Sequence, residues 1–421
     1  MIVKFLDVVL FGTYFLLLFF AIFWLLVLFF PENENKKKKI VGTPFFTVIV
    51  PAYNEEKSIV ETLVSIIKLD YPKDKIEVIV VNDGSTDTTQ HLVEEFIAEN
   101  PGNDIRLINQ NNQGKGHALN VGLEIARGEY YACLDADSFI SPNAIKEMLP
   151  YFQADENVAS VCPLLKVRKP GSVLQKVQWT EYLVNMFYKL LNSKIDCIHV
   201  TPGPFSVYRT KIIKDLGGYD EKTITEDLEI AIRLQKHHYK LVQTFDAVVE
   251  TVAPNSLRTL FKQRIRWYKG SVDNTINYRK IMFNKEYGDF GFLRMPTIIL
   301  SGVIAITVAI TLLREIFIKS IQWFHALRAI NFDIITLIKN YTFDFNFLSL
   351  PFFKLIIAAT LFGISFFIMV YSYRVIKEKI RNHGRTLVSM ISYLFLYGLF
   401  ITFVWMYIAF MFVSHKKNRW A

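Results

Sequence analysis

A chain of 421 residues that is 52% hydrophobic and 15% aromatic is too apolar for a purely soluble protein of two or three ordinary domains. The net charge of +9 comes with no nucleic-acid-binding motif, and several basic clusters flank apolar runs, so lipid headgroups rather than nucleic acid are the expected counterion. Cys133, Cys162 and Cys197 lack metal-ligand spacing, and disulfides are not expected in the reducing compartment assigned below.

Val8 to Phe30 is a run of 23 residues without a charge, long enough to cross a hydrocarbon core of about 30 Å. It is too long for a signal peptide, lacks a small-residue cleavage site and runs into "ENENKKKK", so residues 1–32 are expected to form a membrane anchor. Lys36, Lys37, Lys38 and Lys39 then place residues from about 31 to 294 in the cytoplasm and the N-terminus outside.

Within the cytoplasmic stretch, residues 33–253, "FFTVIVPAYN" (45–54), "KIEVIVVNDGS" (75–85), "DIRLINQN" (104–111) and "YYACLDADS" (130–138) read as buried strands ending in polar residues. Helical spacing in "EEKSIVETLVSIIKL" and "TDTTQHLVEEFIAEN" between them predicts a mostly parallel α/β sheet covered on both faces. A ligand then belongs outside the carboxyl ends of the strands, where Tyr53, Asn54, Glu55, Asp83, Ser85, Asp135 and Asp137 gather. Any one of these clusters, "NDGS" above all, can also be a satisfied turn. The two carboxylates of "LDADS" repel each other unless a cation lies beside them, and Mg²⁺ or Mn²⁺ held together with a diphosphate meets that need.

"NQGKGHALNVGLEIARG" brings Lys115 and His117, flanked by glycines, to a helix start suited to phosphate oxygens, although it is not the ATPase phosphate loop. The apolar spacing of residues 172–193 predicts a helix able to lie at a membrane interface. In "TITEDLEIAIRL", Glu226 and Asp227 open an amphipathic helix, where acidic residues are ordinary, but Asp227 near an acceptor would serve as a base. Residues 254–294 are expected to form interfacial helices. In "FKQRIRWYKG" a 100° wheel puts Leu257, Phe261, Ile265 and Tyr268 on one face and Gln263, Arg266 and Trp267 on roughly the opposite one.

Three further uncharged runs, Met295 to Leu313, Leu355 to Tyr373 and Thr386 to Ser414, predict a membrane region over 295–421. The charged, aromatic stretch from Lys319 to Pro351 reads as interfacial or re-entrant. Arg374, Lys377, Lys379, Arg381 and Arg385 agree with this multi-pass orientation, whereas Lys416, Lys417 and Arg419 require either an exported basic tail or a different number of spans.

The ordered set "PAYNE", "VNDGSTD", "QGKGHALN", "LDADS", "TPGPFSVYR", "TED" and "QRIRW", over about residues 45–270, resembles the processive family 2 glycosyltransferases that make chitin, hyaluronan, cellulose and poly-N-acetylglucosamine. The resemblance implies a GT-A, Rossmann-like nucleotide-sugar fold. It also implies inverting transfer from a UDP-sugar, UDP-GlcNAc first among them, to a growing β-linked polysaccharide that passes through the membrane region. By the same resemblance Tyr53, Glu55 and Asp83 meet uracil and ribose, Lys115 and Asp135 meet the nucleotide, and Asp137 coordinates Mg²⁺ or Mn²⁺. Asp227 becomes the general base. Gln263 and Arg266 fall on the donor side, with Arg266 at the diphosphate, while Trp267, Glu226 and Gly203 fall on the acceptor side. Asn82 departs from the pair of Asp residues the family often has, leaving one uridine contact in doubt. "GPFSVYR" is similar to hyaluronan synthases, so another UDP-sugar stays open, as does a membrane transferase making a short or lipid-linked glycan. Four spans are few for a polysaccharide channel, which leaves room for a small membrane partner or a homo-oligomer.

Overall fold

The computed structural model describes residues 2–30, 42–339, 351–379 and 386–414. Lys36 to Lys39, Arg381, Arg385, Lys416, Lys417 and Arg419 lie outside the described residues. Eight strands form one sheet: β1 (Phe46–Ala52), β2 (Ile76–Asp83), β3 (Asp104–Gln110), β4 (Tyr130–Cys133), β5 (Ser138–Ile140), β6 (Val158–Val167), β7 (Val207–Arg209) and β8 (Lys240–Thr251). Their order is β3-β2-β1-β4-β7-β6-β8-β5. β1 and β2 are continuous β-branched runs because helices cover both faces, leaving no solvent side to alternate with.

The first half, β3-β2-β1-β4, is parallel as expected, with Val48 level with Val78 and with Ala132. The second half is mixed: β7 is antiparallel to both β4 and β6. The reason lies in the loop before it. Gly203 sits beside Asp135, at the carboxyl end of β4, and the chain enters β7 only four residues later, so β7 must run back along β4.

Fourteen helices occur among the described residues. They are α1 (Ile2–Leu28), α2 (Ile59–Ile67), α3 (Thr89–Glu99), α4 (Lys115–Ile125), α5 (Ala144–Ala154), α6 (Val173–Lys194), α7 (Thr210–Asp215), α8 (Glu226–Lys236) and α9 (Leu257–Asn277). After them come α10 (Met295–Ala329), α11 (Ile334–Lys339), α12 (Phe352–Val375), α13 (Thr386–Ser392) and α14 (Gly398–Val413). A π-helical turn, Tyr393–Tyr397, joins the last two into one rod.

Among the described residues four helices are long and apolar enough to cross a membrane: α1, α10, α12 and the α13–α14 rod. The first three meet the sheet domain through the expected end. Lys194 Nζ donates to the Leu28 and Phe30 carbonyls, and Arg294 lies 2.6 Å from His199. Lys166 pairs with Glu378 at 2.5 Å, just past α12, and Thr180 bonds Tyr373 at 2.8 Å. α13 packs on α6 and α14 on α9, so both parts of the α13–α14 rod touch helices on the side of the sheet domain. One expectation changes. α10 does not stop at Leu313 but continues as helix through Ala329, so Lys319 to Ala329 is helical rather than re-entrant. At 1.5 Å per residue its 35 residues extend about 52 Å, well beyond one hydrocarbon core.

Capped by Ser172 and Gln175, α6 is enclosed by protein rather than lying on lipid: Trp179, Leu183, Phe187 and Leu191 are buried in the core that also holds Ile368, Met369 and Tyr373 of α12. α9 is likewise clamped. Its Phe261, Ile265 and Tyr268 pack on Val404, Trp405, Ile408 and Met411 of α14, whereas Leu257 is exposed. Against α8 the approach is closer still, because a Cβ on Gly270 would meet Thr225 Oγ1 at 2.4 Å and Cγ2 at 2.5 Å. Asn274 Nδ2 donates to Thr225 Oγ1 (3.0 Å) and Thr223 Oγ1 (3.1 Å) across the same seam. Gly270→Ala is therefore expected to destabilise the protein by about 1–3 kcal/mol through overpacking, read as a lowered thermal unfolding midpoint in detergent.

Candidate active site

The sheet switches direction at β1: β2 and β3 lie on one side of it and β4 on the other, and the loops leaving β1, β2 and β4 converge above that crevice. Short polar side chains stitch them together. The Asn54 amide donates to Ser85 Oγ (3.0 Å), the Thr86 amide to Asn54 Oδ1 (2.8 Å), and the Glu55 amide to Thr89 Oγ1 (2.8 Å). Asn54 takes φ of 54°, a left-handed conformation that Asn tolerates. Tyr53 stands exposed on the rim, and Glu55 accepts from Ser58 Oγ at 2.7 Å.

Asp83 is buried and turned toward the next loop. Its carboxylate accepts from Gln110 Nε2 (2.7 Å) and from the backbone amides of Gln113 (2.9 Å) and Gly114 (2.8 Å). The β2 end therefore fixes the start of α4, and with it Lys115. The Lys115 ammonium bridges Asp135 Oδ1 at 2.6 Å and Glu226 Oε1 at 2.8 Å, tying β4 to the first turn of α8. Gly203 lies close against this pair: a Cβ there would sit 3.0 Å from Lys115 Nζ and 3.2 Å from Asp135 Oδ2, and one of them would have to shift by a few tenths of an ångström. His117 lies beside it on α4, with Nδ1 3.2 Å from Glu221.

The electrostatics are uneven. Burial opposes ionisation of Glu226, but the Lys115 ammonium overrides it and holds this carboxyl below the usual range. Asp137 is pushed up to about 6 by burial and by the neighbouring Asp135 and Glu55 charges. Asp227 is also pushed up to about 6, by burial first and then by Glu226, against the pull of Lys115 and Arg266. Its main-chain carbonyl accepts from Thr201 Oγ1 (2.8 Å), and Asp227 Oδ1 accepts from the Leu228 amide (2.8 Å). Crowding of Glu55, Asp135 and Asp137 suits a hard divalent cation. Among the described residues no group of three or more His, Cys, Asp or Glu side chains is placed to hold a metal ion by itself.

The site thus brings together Glu55, Lys115, Asp135, Asp137, Gly203, Glu226 and Asp227, with exposed Arg266 of α9 facing the last two. Tyr53 stays at the rim, and Asp83 holds the 113–114 loop. Gln263 and Trp267 turn toward a residue that the motif reading passed over. Arg264 is fully buried, with Nη1 donating to Gln263 Oε1 at 2.5 Å and its guanidinium 4.1 Å from the Trp267 ring centroid. Its partner Glu181 and the buried Tyr182, which lies within electrostatic reach of Asp137, were missed as well. There was a signal: the wheel places Arg264 inside the apolar sector of α9, and Glu181 interrupts an apolar helix face.

Residues 47–217 match the family described as Glycosyl transferase family 2. A poly-beta-1,6-N-acetyl-D-glucosamine synthase of Staphylococcus epidermidis is 30% identical over 239 residues, 56% of this chain and 56% of that one. The synthase of the same name from Staphylococcus aureus (strain COL) is 33% identical over 227 residues, 53% and 54% of the two chains. The chain spans about half the length of the curated relatives it matches. Among solved structures, mannosyltransferase PcManGT from Pyrobaculum calidifontis, in complex with GDP-Man and Mn²⁺, is similar with a TM-score of 0.56 at 21% identity, covering 93% of this chain and 97% of that one. That likeness is one of fold, and the fold is GT-A-like.

Removing the Lys115 ammonium tests the arrangement. Lys115→Met leaves Glu226 and Asp135 facing each other and is expected to destabilise the protein by about 1–3 kcal/mol at neutral pH. A carboxyl held low stabilises only while its unfolded counterpart is ionised, so the deficit should shrink as pH falls through the carboxylate range. Unfolding midpoints of the two proteins at neutral and acidic pH measure it.

Proposed function

We propose that this chain, whose residues 47–217 match the family described as Glycosyl transferase family 2, transfers N-acetylglucosamine from UDP-GlcNAc, with inversion, to the end of a growing β-linked polysaccharide. The name of the Staphylococcus relatives supports this donor and product. The observation that carries the reading is the meeting of Asp227, buried and raised to about 6, with Arg266 of α9, a helix whose other face is seated on a membrane span.

In this reading the acceptor hydroxyl oxygen attacks the anomeric carbon from the face opposite the diphosphate. Asp227 takes the hydroxyl proton as the new C–O bond forms. The bond from the anomeric carbon to the phosphate oxygen breaks, and UDP leaves with the electron pair. Arg266 offsets the charge that grows on the leaving group, while Lys115 holds Asp135 and Glu226 in place and keeps Glu226 ionised. Asp137, with Asp135 beside it, would hold a divalent cation, Mg²⁺ or Mn²⁺, which neutralises diphosphate charge when bound. Tyr53 and Glu55 line the uracil and ribose side, and Asp83 serves the same nucleotide by holding the 113–114 loop. Gly203, Glu226 and Trp267 border the acceptor. Processive elongation fits a site roofed by a helix that is clamped to a span, which would let the product leave directly into the membrane region.

Transfer is expected to fall as pH drops through about 6, because Asp227 works only when ionised. Asp227→Asn should lower turnover by about 10² to 10⁴, and a chelator should abolish it until Mg²⁺ or Mn²⁺ is restored. The measurement is label incorporation by purified protein offered UDP-GlcNAc, UDP-Glc and UDP-GlcA separately and in pairs. Product requiring UDP-GlcA as well, or only short or lipid-extractable product, would replace the homopolymer reading. The domain faces the cytoplasm in this proposal, so an impermeant reagent outside intact cells should label a cysteine placed ahead of Ile2 and not one at Ser85.

A further inference from the structure

On the apolar face of α9, among Phe261, Ile265 and Tyr268, stands a guanidinium that is fully buried. Arg264 Nε donates to Glu181 Oε1 (3.1 Å) and to the Tyr397 hydroxyl (2.9 Å), Nη2 to Glu181 Oε2 (2.5 Å), and Nη1 to Gln263 Oε1 (2.5 Å). Its flat face covers Trp267 at 4.1 Å. One side chain thus joins α6, the final span and two residues of the α9 face that reaches the site. An apolar residue would seat α9 on α14 with no buried charge, so packing alone does not account for it.

The span is shaped to make the contact. Tyr397 ends the π-helical turn between α13 and α14, where Tyr393 stacks on it at 5.7 Å. Such single π turns re-aim side chains and recur at functional positions. Tyr397 is 11 residues along the rod from Thr386, about 16 Å at 1.5 Å per residue. A buried ion pair is costly to desolvate and is weak evidence for stability alone.

We propose that Arg264 is a positioning residue: through Tyr397 and Glu181 it sets Trp267 and Gln263 according to the register of the last membrane span, and so governs how the acceptor end is held. The inference rests on the reading of Trp267 as an acceptor surface. Arg264 acts through its neighbours and touches no reacting atom.

Arg264→Gln and Glu181→Gln each strand a buried charge or polar group and risk misfolding, so the deciding variants are Tyr397→Phe, which removes one oxygen, and Arg264→Lys, which keeps the charge but loses the flat fork. Two rates are compared in purified full-length protein: UDP release from UDP-GlcNAc without acceptor, and elongation of a short β-linked N-acetylglucosamine oligosaccharide. Tyr397→Phe is expected to leave UDP release within about twofold while elongation falls about tenfold through acceptor KM. Arg264→Lys should shift the same ratio further. Elongation equal to wild type, or both rates falling in proportion, would overturn the proposal. A second measurement needs no activity. Acrylamide quenching attributable to Trp267, obtained by difference against Trp267→Phe, should rise in Tyr397→Phe, and an unchanged value also overturns the proposal. Failure of the wild type to elongate the oligosaccharide would sink the polymerase reading instead, and the quenching would still decide whether Arg264 holds the ring.

Discussion

One ammonium group organises the site. Lys115 is delivered by α4, whose first turn is held by the Asp83 carboxylate at the end of β2, and it spends its charge on Asp135 after β4 and Glu226 at the head of α8. Three chain segments far apart in sequence are thereby brought to one point. The tight space this leaves disfavours a side chain at residue 203, from which the chain enters β7 and runs back along β4, breaking the parallel order of the sheet.

That arrangement favours chemistry at some cost in stability. Asp137 and Asp227 are raised toward neutrality by burial and by like charges, so each is more easily ionised in the unfolded chain than in the folded one. A carboxyl raised in this way destabilises the fold at neutral pH, and the penalty fades as pH falls through its folded value and is gone only below its unfolded one. Glu226, held low by Lys115, acts in the opposite sense. A general base needs such a raised value, and a structural carboxylate has no use for it.

The membrane region is part of the same machine. Core residues of the sheet domain are continuous with Ile368, Met369, Tyr373 and Met390 of the membrane helices, and α9 lies with one face on α14 and another over Asp227. The GT-A-like domain and the helices form one packed body, which is how Tyr397 of the last rod comes to bear, through Arg264, on Trp267.

The α/β class, the first four strands, the four spans and the acidic clusters at strand ends were legible in sequence, because apolar runs and helical spacing are local properties and the polar strand ends stand out against them. The antiparallel entry of β7 was not, since it follows from the meeting of Gly203 with Asp135. The unbroken reach of α10 to Ala329 was obscured by its charges, which a helix end outside a hydrocarbon core tolerates. Sequence supplied Asp83, Gln263 and Trp267 as motif letters, and the tertiary structure decided what they face. Asp83 turns to backbone amides, and Gln263 and Trp267 turn to Arg264. The physical reason is that a residue's type and periodic position are set along the chain, whereas its partners and its ionisation are set by groups that only folding brings within a few ångströms.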